Sequence, residues 1–115
     1  MEVVMLESLF GNVVIEKIMF FLLINEKCYA LELKKRFESP LYSFQRALAR
    51  LEKGGVISSY REGKTVVYQF NPQYPFLNEL KVFLQKAYDL LPKEIQEKYY
   101  EPVIGKRPRR QGKPL

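Results

Sequence analysis

Residues 39–72 read SPLYSFQRALARLEKGGVISSYREGKTVVYQFNP, and a change of hydrophobic period inside this run decides the fold. Up to Lys53 the apolar positions Phe44, Leu48 and Leu51 recur at helical spacing with Ala47 beside them, leaving Tyr42, Ser43, Gln45, Arg46, Ala49, Arg50 and Lys53 outside. Ser39 followed by Pro40 reads as an N-cap with proline at the first helical position, where a missing N–H is no loss. Gly54-Gly55 supplies the backbone freedom that ends the helix. Beyond it the period drops from about 3.6 to about 2. Residues 56–61 and 65–70 are rich in β-branched and aromatic side chains, with Val66, Tyr68 and Phe70 on one face, and Glu62-Gly63 between them resembles the Asp-Gly signal of a tight hairpin.

Upstream, Val14, Ile18, Phe21 and Leu22 mark one face of a buried helix over 12–25, widened by Ile15 and Met19. Residues 2–10 read as a separate short helix, with Gly11 as the break and Asn12 as the next cap. Ala30, Leu33 and Phe37 predict a further helix over 29–38 that leaves Glu32, Lys34, Lys35 and Arg36 outside. Downstream, Asn71-Pro72 and Pro75 punctuate the chain before a long helix over 76–91. Its Leu77, Leu80, Leu84, Ala87 and Leu91 alternate steps of three and four, a heptad-like seam with Phe76, Phe83 and Tyr88 beside it. Such a seam packs on the chain's own core or on a second copy. Leu77, Leu80, Phe83, Leu84, Ala87 and Leu91 are the candidate dimer interface.

At 115 residues, 47% apolar and 28% charged, the chain is one globular domain. It has no histidine, one aspartate (Asp89) and one cysteine (Cys28). A Ser-His-Asp or Cys-His nucleophile, a zinc site and a CxxC redox pair all lack their parts. Neither a paired-acid hydrolytic motif nor a Gly-rich phosphate loop occurs, so the expectation is no enzyme, no metal and no cofactor. The longest apolar run, Ile18 to Ile24, is far shorter than the roughly 20 residues that span a bilayer. With no signal peptide in view, the reading is of a soluble, cytoplasmic protein.

The net charge of +6 is unevenly placed. Residues 1–33 hold two lysines against five glutamates, whereas residues 34–64 hold eight cations against three. Residues 65–105 hold four cations and five acids, and residues 106–115, KRPRRQGKPL, hold five cations and no acid. Two basic zones thus stand on a mildly acidic body, and a partner responds to such local charge more than to the sum.

Three helices followed by a β-hairpin is the order of a winged helix-turn-helix, mainly α with a small β wing. A helix fits the major groove of double-stranded DNA and its exposed side chains reach base edges, while the preceding helix crosses the backbone. On that geometry Arg46 or Arg50 pairs with guanine and Gln45 with adenine, and Tyr42 and Ser43 touch phosphate or a thymine methyl. Lys34, Lys35 and Arg36, with Arg61 and Lys64 at the wing tip, meet phosphates or the minor groove. The division expected is 1–71 as DNA-binding domain, 72–92 as dimerisation helix and 93–115 as a basic, partly disordered tail. Arg107, Arg109 and Arg110, interleaved with Pro108, Gly112 and Pro114, suit an extended minor-groove arm. The five cations of residues 106–115 contribute a log–log salt slope of roughly −4.5 if all engage.

The quoted run resembles the recognition helix, wing and exit of ArsR/MarR-like winged-helix transcriptional regulators. In those, a helix ending Leu-Glu-(Lys)-x-Gly-(Val/Ile) precedes a basic-Glu-Gly-basic wing and a Tyr-rich return strand, and the likeness extends over about residues 10–91. The resemblance implies a homodimeric DNA-binding regulator, usually a repressor, with the C-terminal helix in the dimer interface. It carries base or phosphate contact onto Tyr42, Ser43, Gln45 and Arg46, and wing contact onto Arg61 and Lys64. The chain departs from metal-sensing members, whose second helix opens on Cys-x-Cys; here the stretch is Cys28-Tyr29-Ala30. One thiolate without histidine does not complete a tetrahedral soft-metal site, and Cys28 reads as a small core residue, with an intersubunit disulfide as the redox alternative. Two other functions share the fold: a protein-interaction adaptor, and a non-specific architectural nucleic-acid binder driven by the tail. Any small-molecule effector stays unknown at this level.

Overall fold

From the N-terminus the elements run α1 (Glu7–Phe10), α2 (Val13–Asn25), β1 (Lys27–Cys28), α3 (Ala30–Phe37), α4 (Leu41–Lys53), β2 (Ile57–Glu62), β3 (Thr65–Phe70), α5 (Leu77–Asp89) and α6 (Lys93–Ile95), followed by a π-helical turn over Gln96–Tyr100. The structure is a computed structural model that describes residues 5–102. It is mainly helical with a small antiparallel sheet.

The hub is α2. It is apolar around its circumference, and every residue from Ile15 to Leu22 is buried, as befits a helix enclosed on all sides. Gly11, left-handed at φ 74°, ends α1, and the Asn12 side chain accepts the Val14 N–H at 2.7 Å to start α2. Two charged residues lie inside the buried run. The Glu16 carboxylate accepts the N–H groups of Met5 (3.1 Å) and Leu6 (2.7 Å), and Lys17 Nζ lies 5.4 Å from the Phe37 ring centroid.

Helices α3 and α4 bury Leu33 and Phe37 against Phe44, Ala47, Leu48 and Leu51, the faces their spacing predicts. The start of α4 is one residue later than expected. Ser39 is not its cap: its hydroxyl donates back to the Phe37 carbonyl at 3.3 Å, and Pro40, extended at ψ 136°, takes the cap position. At the other end Gly55 is left-handed at φ 80°. Val56 N–H then donates to Leu51 O and Gly55 N–H to Glu52 O, both at 3.0 Å, the paired bonds of a Schellman ending.

The sheet has three strands in the order β1-β3-β2, where the sequence predicts only the hairpin. Its register runs from Ile57↔Phe70 to Glu62↔Thr65, leaving Gly63-Lys64 as a two-residue loop. Positive φ at Gly63 alone fits a II′ turn. The extra strand, β1, pairs Lys27↔Gln69 and Cys28↔Tyr68. Two residues cannot display an alternation, so periodicity could not reveal it.

The largest departure is at the C-terminal end. Residues 93–100 are not tail but helix, returning across α2 and α3. Tyr100 is buried among Phe20, Phe37 and Tyr88, with ring centroids 5.6, 5.5 and 5.8 Å away. Asn25 Nδ2 donates to Tyr100 O at 2.8 Å, and Gln96 Nε2 donates to the carbonyls of Tyr88 and Leu91. The segment is too short and too charged to show a period of its own.

Candidate nucleic-acid interface

One face of α4 is built to stay outside. With Phe44, Ala47, Leu48 and Leu51 turned inward, the 3.6-residue repeat leaves Tyr42, Gln45, Arg46, Ala49, Arg50 and Lys53 exposed in a stripe along the helix. Ala49 keeps the middle of that stripe low. Tyr42 is 65% exposed, and the Arg46 guanidinium lies 5.6 Å from its ring centroid, which aligns the two side chains outward as a pair. Ser43 is half-buried and faces sideways into a groove of about 420 Å³ that Asn12, Val14, Arg46 and Arg50 also line. Sequence reasoning gave Asn12 only a capping role; its place beside Ser43 depends on how α2 crosses α4.

The wing presents Arg61 and Lys64, both exposed at the hairpin end. Its base is tied to α4 and to the turn that follows it: Ser59 Oγ donates to Glu52 Oε2 at 2.6 Å, Asn71 Nδ2 to Gly55 O at 3.0 Å and Asn71 N–H to Val56 O at 3.0 Å. Lys34 and Lys35 are exposed on α3. Arg36 is not with them. Its guanidinium is turned inward, 5.4 Å from the Phe21 ring centroid, with Nη1 donating to the carbonyls of Tyr99 (3.2 Å) and Glu101 (3.0 Å). Arg107, Arg109 and Arg110 lie outside the described residues.

The α5 seam divides between inside and outside. Leu84, Ala87 and Leu91 are buried in the chain's own core, and Leu77 and Leu80 are partly buried against it. Phe83 is 40% exposed. It belongs instead to a second apolar face with Phe76, Val82 (72%) and Leu90 (69%), roughly a third of a turn round the helix at 100° per residue. Glu79 and Lys86 stand on that same face.

Cys28 is 1% exposed, and burial, with the Glu32 charge adding to it, pushes its thiol up to about 12. An enclosed, protonated sulfur is a packing group, out of reach of a thiol on a second copy. Among the described residues no helix is long and apolar enough to cross a membrane.

No family model matches the chain, and no curated protein sequence matches it. Among solved structures, a double mutant of ZitR from Lactococcus lactis aligns with a TM-score of 0.51 at 16% identity, over 75% of this chain and 66% of that one, just under two thirds of its length. The apo form of the same mutant aligns with a TM-score of 0.48 at 16% identity, over 78% of each chain. At this identity the first likeness bears on architecture alone: the chain has the winged helix-turn-helix fold.

Proposed function

We propose that this protein is a sequence-specific transcriptional regulator of double-stranded DNA, acting as a homodimer and as a repressor, with α4 in the major groove and the wing on the backbone or minor groove. One observation carries the reading. Of the eight cations in residues 34–64, only Arg36 is turned inward; Lys34, Lys35, Arg46, Arg50, Lys53, Arg61 and Lys64 are all exposed on the helix-turn-helix and wing. Those are the elements that this fold directs at DNA, and their charge supplies affinity while Gln45, Arg46 and Arg50 supply groups able to read bases.

The dimer is assigned to the outer face of α5, through Phe76, Val82, Phe83 and Leu90. That face is self-complementary. An antiparallel two-fold contact centred between Val82 and Phe83 sets Glu79 opposite the partner's Lys86, as an isologous interface requires. The test is selection of bound fragments from random or genomic DNA at about physiological salt, with the full chain and a 1–105 truncation side by side. A shared palindrome with half-sites about one helical turn apart is expected. Enrichment of no sequence by either protein would overturn the proposal, and binding that vanishes on truncation would favour an architectural role for the tail.

A further inference from the structure

A cleft of about 450 Å³ opens between β1, α3 and the outer half of the wing, where Glu62 precedes the Gly63-Lys64 loop, on the side of the molecule where the described chain stops. Its floor includes Val67 and Cys28, both buried, and its walls carry three carboxylates, Glu26, Glu32 and Glu62. The two cations in the lining are already engaged. Lys27 Nζ lies 3.7 Å from Glu62 Oε2, and Arg36 donates to the Tyr99 and Glu101 carbonyls while its charge also favours the ionised Glu32. Glu32 is half withdrawn from water, and this desolvation, outweighing the Tyr29 N–H and Arg36, pushes its carboxyl above the usual range. The cleft therefore has an excess of negative charge over an apolar floor.

Pro102 is itself part of the cleft wall. The sequence that continues from it, residues 103–115, holds five cations and no acid. Chain reach sets the rest: at roughly 3.6 Å per residue, the Lys106 Cα stays within about 14 Å of Pro102 and that of Arg107 within about 18 Å, whatever path the backbone takes. Tethering of this kind keeps the local concentration of cations at the glutamates on the order of millimolar. We infer that the segment 106–110 seats in this cleft in the free protein, its cations against Glu26, Glu32 and Glu62, so that the basic arm is held back by the chain's own carboxylates and moves to phosphate when DNA is bound. The contact is weak and salt-sensitive, which is what a reversible hold needs. The release step rests on the DNA-binding reading proposed above; the seating does not.

Seating is tested on the full chain without DNA, by zero-length carbodiimide coupling of amines to carboxylates at low salt. A mixture of isotopically light and heavy protein separates links within a chain from links between chains. The Lys27–Glu62 pair is the internal control for coupling. A link within one chain from Lys106 to Glu26, Glu32 or Glu62 is expected, falling at least about threefold when Arg107, Arg109 and Arg110 are all replaced by Gln, and again at about 1 M salt, where the screening length is about 3 Å. Formation of the control link with no Lys106 link to these glutamates would overturn the inference. So would links found only between copies, or a yield indifferent to the arginine replacements. Adding the selected DNA should then lower the Lys106 yield; an unchanged yield in a bound complex overturns the release step and leaves the seating result standing.

Discussion

The ring of Tyr99 lies stacked on that of Phe37, with centroids 5.3 Å apart and planes 11° from parallel. This contact joins the C-terminal return to the last residue of α3, immediately before the turn into α4. The helix that presents the candidate reading face is thus steadied from behind by residues that a tail would not contain. Tyr88 extends the same brace, donating its hydroxyl to Glu101 at 3.3 Å.

Truncation within this brace should cost stability in proportion to burial. Tyr100→Ala removes a buried ring and is expected to lower unfolding free energy by about 3–5 kcal/mol, whereas Tyr99→Ala, on the rim, should cost about 1 kcal/mol. Urea denaturation of the full chain measures both. A Tyr100→Ala protein as stable as its parent would show that the return segment does not belong to the core.

Alkaline pH should unfold the protein through its buried acids. A thiol held at about 12 in the fold against an ordinary 9.0 keeps its proton longer folded than unfolded, so its contribution is intact below 9 and lost as pH rises toward 12. Tyr88, raised by burial first and the Glu101 charge second, adds to the decline above its ordinary 10.0. Stability measured from about pH 8.5 to about pH 11 should therefore fall less steeply in Cys28→Ala than in the parent. Parallel curves would mean that Cys28 is more accessible than its packing indicates.

Two substitutions on α5 should separate dimerisation from folding. Val82→Asp, on the outer face, should shift the protein to monomer in sedimentation while leaving its melting nearly unchanged at low concentration. Leu84→Ala, fully buried, should instead cost about 2–5 kcal/mol of stability. A Val82→Asp protein that remains dimeric would move the interface elsewhere.

On the interface, Arg46→Ala should weaken binding to the selected site by about 1–3 kcal/mol and relax preference at one base position. Lys64→Ala should weaken all sequences alike and reduce the salt slope by about 1. Competition titrations at several salt concentrations tell these patterns apart, and an Arg46→Ala, Gln45→Ala double variant with undiminished preference would remove α4 as the reader.

Much of the fold was legible because its elements are long enough to carry a period. The alternation of inward and outward residues in α4, the change of period at Gly55 and the cap at Asn12 are local facts, set by residues a few positions apart. The stripe of Tyr42, Gln45, Arg46 and Arg50 followed from the same repeat. Arg36 shows the limit: adjacent to Lys34 and Lys35 and of the same charge, it faces a carbonyl pair on a segment far along the chain.

By itself, then, the sequence determined the helical and strand periods, the breaks between them and the concentration of positive charge in residues 34–64, because each depends on near neighbours and on composition. Tertiary structure alone decided that β1 joins the sheet, that residues 93–100 brace α3, and which side of α5 remains open. Those outcomes depend on which surfaces meet across the fold, and burial by a distant partner leaves no local period to read.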